Sequence, residues 1–166
     1  MPTLSGSDSV MKALEAIAKK MGGGSVSVGF MEGAAYPDGT PVAAVAFWNE
    51  YGVPEHNQPP RPFFRTMIAE DSKNWPAMMA GQAKVTNYDG PKVLARMGEA
   101  IGGALRQSIN EFTTPALAPR TLAARIGKSK AGSYNPETVG KPLIDTAVMV
   151  NSIYYQVNND EKVHIE

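Results

Sequence analysis

Two apolar patterns follow one another at the start of the chain. Residues 7 to 21 repeat apolar side chains at helical spacing, which predicts an amphipathic helix that Ser7 or Ser9 would cap. Three glycines then end this helix. Residues 25 to 31 alternate between apolar and small or polar side chains, and the alternation predicts a half-buried strand.

A second helix is predicted from Thr40 to Tyr51, with the threonine as its cap, Pro41 in its first turn and Gly52 at its end. Residues 42 to 48 are apolar on nearly every side, and such a helix is usually buried on more than one face. We therefore expect its aromatic side chains to belong to the core, with another subunit as the alternative burial surface.

The stretch from Trp48 to Arg65, WNEYGVPEHNQPPRPFFR, concentrates the backbone constraints of the chain. It contains four prolines, which fix φ and favour extended neighbours, and they predict a stiff, extended strap. We define this strap as residues 52 to 62. It leads into the aromatic pair Phe63-Phe64, which we expect to lie in the core.

Three charged residues accompany the strap. Glu50 lies close in sequence to Arg61 and Arg65, which predicts a partly buried ion pair that braces the strap. The alternative is an acid–cation pair in a catalytic cleft, which would require a pocket with perturbed titrating groups.

Helical spacing returns after the strap and predicts a helix from Phe63 to about Lys73, a break at Pro76 and a short helix over residues 77 to 84. The longest helix is predicted over residues 91 to 112. Its apolar stripe consists of Leu94, Met97, Ile101, Leu105, Ile109 and Phe112.

Two glycines of this long helix, Gly98 and Gly102, lie four residues apart and therefore on the same face. Each glycine costs about 1 kcal/mol relative to alanine in a helix. Their shared face predicts the close approach of a neighbouring helix.

Residues 113 to 142 change in character. A short helix is predicted over residues 121 to 126, and residues 127 to 141 are predicted to form a long, mobile loop rich in glycine, serine and lysine. The region is basic, with Glu137 as its single acid. Its cations are Arg120, Arg125, Lys128, Lys130 and Lys141. They predict either a solvated charge run or a contact with an acidic neighbour or with DNA.

The end of the chain predicts a helical turn over residues 147 to 150, capped by Asp145 or Thr146, and then a hairpin with strands at 152 to 157 and 162 to 166. The fold class that follows is α+β. We expect one domain over residues 1–166, in which a small antiparallel sheet packs against the long helix and the shorter helices.

Composition narrows the possible functions. Sixteen basic and sixteen acidic residues cancel, so a general nucleic-acid binder receives no support from charge. Cysteine is absent, the first residues lack the pattern of a signal peptide, and no apolar run is long enough to span a membrane. The two histidines, His56 and His164, have no ligand at metal spacing. We therefore predict no catalytic site, no metal and no cofactor.

Two blocks of sequence resemble a known family. The first reads Asn49-Glu50-Tyr51-Gly52, a proline-containing loop and then Arg61-Pro62-Phe63-Phe64-Arg65. The second runs from Pro115 to Arg125 and, after a loop, from Lys141 to Val157. In this order they resemble the tail-completion or head–tail joining proteins of tailed bacteriophages. Where that family usually has Asp-Thr-Gly, this chain has Ala147 in place of the glycine.

The resemblance implies a virion structural protein that forms a ring, with six copies around the DNA channel, at the neck of the particle. It implies assembly in the host cytoplasm, no membrane, and four kinds of partner: other copies of the chain, connector or adaptor proteins on the head side, the tail tube or tail terminator, and non-specific contact with DNA in the channel. Combined with the enrichment of aromatic residues and arginine at interfaces, it suggests a set of contact residues. These are Trp48, Glu50, Tyr51, Arg61, Phe63, Phe64, Arg65, Arg125, Lys128 and Lys130.

One alternative function from another class remains. A small nucleic-acid-binding module would use the basic segment 120 to 141, and its binding to DNA would weaken with added salt.

Overall fold

The structure is a computed structural model that describes residues 7–30, 32–133 and 135–158. It confirms an α+β fold that is mostly helical, with a two-stranded antiparallel sheet and a long helix. The elements in chain order are α1 (Ser7–Met21), β1 (Ser25–Phe30), α2 (Val42–Tyr51), α3 (Phe63–Asp71), α4 (Trp75–Val85), α5 (Gly90–Glu111), α6 (Pro119–Lys130), α7 (Val148–Asn151) and β2 (Ile153–Asn158). Short 3-10 helices lie at Pro54–His56, Ser72–Asn74 and Pro136–Thr138.

The chain forms two compact units. One consists of the described residues within 1–27, 74–100 and 155–166, and the other of residues 28–73 and 101–154, without the undescribed positions 31 and 134. The boundaries fall inside both strands and inside α5. The prediction of a single domain stays a prediction.

In the first unit, the start of α5 packs closely against other elements. A Cβ atom on Gly90 would collide with the carbonyl of Met21 at the end of α1. A Cβ atom on Gly98 would lie 2.4 Å from the ring of Tyr155 in β2 and 2.9 Å from Val26 in β1. The predicted close approach at Gly98 is therefore real, but the neighbour is the sheet. The prediction of a neighbouring helix at this position is wrong.

Because of this packing, alanine substitutions at two glycines of α5 should have opposite effects on stability. Gly98→Ala is expected to lower the free energy of unfolding by about 1–3 kcal/mol, the usual cost of overpacking, since the Tyr155 ring must move. Gly103→Ala is the control, because a Cβ atom there meets nothing within 4 Å. It should raise stability by about 1 kcal/mol, the helix propensity difference. Urea unfolding of the two variants would contradict this account if both changes had the same sign.

The second unit contains the larger apolar core. The buried residues of α2, α3 and α5 here are Val42, Ala46, Phe63, Met67, Leu105 and Ile109. The segment around α7 and the start of β2 adds Leu143, Ile144, Met149, Val150 and Ile153. A hydrogen bond from Ser108 Oγ to the Phe63 carbonyl, 2.7 Å long, ties α5 to the first turn of α3. The core therefore fixes the position at which the strap ends.

Two predicted helix starts are wrong in detail. Thr40 does not cap α2: Pro41 occupies the N-cap position, and the Thr40 amide instead donates to the Asp38 carboxylate at 3.0 Å. α6 begins at Pro119, a residue suited to a first helical turn, and continues to Lys130. Its last turn carries Lys128 and Lys130, where cations interact favourably with the helix dipole. The predicted loop 127–141 thus begins inside a helix, and its mobility remains a prediction.

The start of α7 also differs from the prediction. Neither Asp145 nor Thr146 caps it, because Ala147 is the N-cap residue and adopts a left-handed conformation with φ of 60° and ψ of 5°. Strand β2 is confirmed at residues 153–158, whereas the predicted second strand of the hairpin, 162 to 166, lies outside the described residues.

The conformation of Ala147 predicts a stabilising substitution. A left-handed alanine is strained by roughly 1–2 kcal/mol, and glycine removes this strain while it adds roughly 0.4–1 kcal/mol of unfolded-state entropy. Ala147→Gly should therefore raise the free energy of unfolding by about 0.5–1 kcal/mol. Thermal unfolding tests this, and a lower midpoint than that of the unchanged chain would contradict it. The matched control is Ala131→Gly, at a position with φ of −81°, which should not stabilise.

Candidate functional site

The carboxylate of Glu50 organises the junction between α2 and α3. Glu50 is only 6% exposed, and its Oε2 accepts the backbone N–H of Phe64 at 2.9 Å. Its Oε1 accepts the backbone N–H of Arg65 at 3.2 Å and the Nε of the same residue at 2.7 Å. Pro62, the N-cap residue of α3, supplies no side-chain acceptor. The glutamate of the preceding helix therefore caps α3 from a distance in sequence.

Arg65 lies on the outer side of this junction. Its Nη2 donates to the Glu50 carbonyl at 3.1 Å, and its guanidinium carbon lies 4.7 Å from the centre of the Tyr51 ring. The geometry is that of a cation–π contact. The predicted ion pair that braces the strap is confirmed between Glu50 and Arg65.

The aromatic side chains of α2 face solvent. Phe47 is 60% exposed, Trp48 44% and Tyr51 52%, and the rings of Phe47 and Tyr51 lie 4.7 Å apart. We call these three residues the aromatic face of α2. The expectation that Trp48 and Tyr51 belong to the core is wrong, because the core-facing side of α2 carries Val42, Ala46 and Glu50 instead.

Phe63 lies in the core as predicted, whereas Phe64 is only partly buried. Phe63 is 1% exposed and contacts Phe30 and Phe64 edge to face, with ring centres 6.5 and 6.4 Å apart. Phe64 is half-buried beside a shallow groove of about 240 Å³. The groove is also lined by Phe47, Tyr51 and Arg65. Phe47 was not among the predicted contact residues, although its spacing of four residues from Tyr51 on a helix brings the two rings together.

The strap is a closed loop for half its length. Val53 and Gln58 exchange backbone hydrogen bonds of 2.9 and 3.1 Å around the short helix Pro54–His56, so the prediction of an extended strap is wrong over residues 53 to 58. Gly52 permits this closure. It has φ of 78°, and a Cβ atom on it would lie 2.7 Å from the Gln58 carbonyl oxygen. The loop thus folds back over the end of α2.

Arg61 points away from Glu50. It is 7% exposed, its Nη1 donates to Asn49 Oδ1 at 3.3 Å, and its Nε donates to the Pro115 carbonyl at 3.5 Å. Its backbone N–H donates to the Asn49 carbonyl at 2.7 Å. Asn49 therefore holds the end of the strap through both its backbone and its side chain.

The basic residues of α6 have different surroundings. Arg125 is buried: its Nη1 donates to the carbonyls of Lys141 and Ile144 at 2.8 Å each, and its Nε lies 3.5 Å from Asp145 Oδ1. Lys128 and Lys130 are exposed. Arg125 therefore braces the segment before α7, and the two lysines remain available to solvent.

Two kinds of feature are absent from the described part of the chain. Among its residues, no group of three or more histidine, aspartate or glutamate side chains could hold a metal ion. No helix in the described ranges is both long and apolar enough to cross a membrane. Of the proposed contact residues, the structure brings together Glu50, Tyr51, Phe64 and Arg65. It turns Arg61 to another side of the strap.

Comparisons with protein-family models, with curated proteins and with solved structures gave no match.

Proposed function

We propose that this protein is a structural subunit of a tailed bacteriophage, which assembles with copies of itself into a ring at the neck and joins or completes the tail at the head–tail connector. The proposal rests on the sequence resemblance together with the surface that the resembling residues build.

One observation carries the proposal: the first resembling block folds as one interlocked unit. Asn49 holds the backbone of Arg61, and Glu50 holds the backbone and side chain of Arg65. Hydrogen bonds therefore join the two halves of this block, residues 49 to 52 and 61 to 65, which a loop separates in the sequence. A motif of this kind preserves a surface, since its polar groups satisfy each other.

The surface next to this unit has the composition of a contact region. Phe47, Trp48 and Tyr51 are exposed, and Arg65 stacks on one of the rings. Aromatic residues and arginine dominate the binding energy of interfaces. The groove beside Phe64 could receive an apolar side chain from a neighbouring copy. In a cyclic ring, such a surface meets a different face of the next subunit.

The nucleic-acid-binding alternative has weaker support. Arg120, Lys128 and Lys130 are exposed, but at about 100° per residue they spread around α6 and do not form a stripe. Arg125 is occupied inside the fold. Contact with DNA in the ring channel is therefore a secondary part of the proposal.

Electron microscopy of the purified chain tests the proposed function. We expect closed rings with an axial channel, with six copies as the resemblance implies, either alone or after addition of the connector from the same phage. Particles that contain only single subunits under both conditions would contradict the proposal. A salt-sensitive DNA complex without rings would favour the alternative.

A further inference from the structure

A cleft of about 700 Å³ lies in the second unit, and neither Glu50 nor Arg65 is among its lining residues. Trp48, Asn49, Gln58 and Arg61 line one part of it. Tyr36, Asp38, Arg125 and Asp145 line another part. Of the aromatic face of α2 and the groove beside Phe64, only Trp48 also lines this cleft.

The charge of Arg61 is not balanced inside the described part of the chain. No carboxylate there lies within 4.0 Å of its guanidinium, and its two side-chain hydrogen bonds go to neutral oxygens at 3.3 and 3.5 Å. Burial, and next the positive charge of Arg125, lower the pKa of Arg61 from its usual value. A buried cation without an anion is costly, so a partner for it has a strong physical basis.

The remaining charges of the cleft limit what this partner can be. Arg125 is held by two carbonyls and by Asp145, and Asp38 lies near Tyr36. Burial, then the charges of Asp145 and Asp38, raise the pKa of the Tyr36 hydroxyl. The two arginines and two aspartates sum to zero. The two aspartates of the cleft would repel a dianionic phosphate, whereas a monoanion beside Arg61 would balance the single positive charge of its guanidinium.

We propose that Arg61 binds a carboxylate group that enters this cleft. The planar guanidinium matches the two oxygens of a carboxylate, and the amides of Asn49 and Gln58 stand beside it. The carboxylate comes either from a small organic acid or from an acidic side chain of a second copy of this chain. This site shares Trp48 with the aromatic face of α2, but it does not depend on the ring proposal.

Trp48 provides a direct readout, because it lines the cleft and the chain has one other tryptophan, Trp75. In the full chain with Trp75→Phe, sodium acetate is titrated against sodium chloride at constant ionic strength. We expect a saturable change in Trp48 emission. Arg61→Met should abolish the change, Arg61→Lys should weaken it, and the exposed control Arg96→Met should leave it intact.

Two results would overturn the site. One is the absence of a saturable change in Trp48 emission in the parent chain. The other is a change in Arg61→Met as large as that in the parent chain. Arg61→Met should fold, because Asn49 Oδ1 retains the Gln58 amide as a donor. Sedimentation of the same variants identifies the source. Loss of self-association in Arg61→Met would indicate an acidic side chain of a second copy, and unchanged sedimentation would indicate a small organic acid.

Discussion

Phe63→Ala is expected to lower the free energy of unfolding by about 3–5 kcal/mol, the range for truncation of a buried phenylalanine. The ring is 1% exposed and lies edge to face against Phe30 and Phe64, so its removal leaves a cavity in the core of the second unit.

Urea unfolding followed by circular dichroism measures this effect. The matched control is Phe47→Ala, which removes the same ring from a position that is 60% exposed and should change stability by no more than about 0.5 kcal/mol, as surface substitutions usually do. A loss below about 1 kcal/mol in Phe63→Ala, or equal losses in the two variants, would contradict the prediction, because only the Phe63 ring is buried.

Glu50→Ala has the second largest expected effect, a loss of about 2–4 kcal/mol, since hydrogen bonds to a charged group contribute about 1.5–3 kcal/mol and an orphaned buried donor costs about 1–3 kcal/mol. The carboxylate accepts two backbone N–H groups of α3 and the Arg65 side chain. Because the Arg65 side chain is 54% exposed, water can solvate its charge after the substitution, and the ion pair itself adds little.

The same unfolding measurement checks this prediction, with Glu55→Ala as its control. Glu55 lies in the strap and is exposed, and no hydrogen bond of its carboxylate is among those of the described residues. Glu50→Gln keeps one acceptor oxygen and should fall between the two. A loss below about 1 kcal/mol in Glu50→Ala, the value of one ordinary hydrogen bond, would contradict the capping role.

The periodic parts of the fold could be predicted from the sequence. The long helix, the strands at 25 and 153 and the break before Trp75 follow from apolar spacing and from proline chemistry, both of which are local. The neighbour of Gly98 could not be predicted, since a small residue on a helix shows that something approaches and does not reveal whether it is a helix or a strand.

The exposure of α2 could not be predicted for a related reason. A helix that is apolar on every side gives no sign of which side the core covers. Here the core selects the side with Val42 and Ala46, and it also buries Glu50 because that carboxylate has three donors to satisfy. The bulky rings remain outside.

The candidate site was predictable in part. The charges of Glu50 and Arg65 could be paired by proximity alone, and the structure confirms the pair. Arg61 was an equal candidate for that pair, and the outcome depended on the closure of residues 53 to 58, which sets the direction of the chain at Arg61. A local sequence pattern does not reveal such a long-range effect of loop geometry. The strain at Ala147, in contrast, falls where the resembling family has a glycine.

The central claim is that the aromatic face of α2 joins copies of this chain. The most direct test is the native mass of the chain by mass photometry, compared with that of the double variant Phe47→Ser, Tyr51→Ser. We predict a closed oligomer for the unchanged chain, and single subunits with an unaltered circular dichroism spectrum for the variant, because both side chains are already exposed in the subunit. An oligomer of the same size in both proteins would contradict the claim, and so would single subunits of the unchanged chain both alone and with the connector.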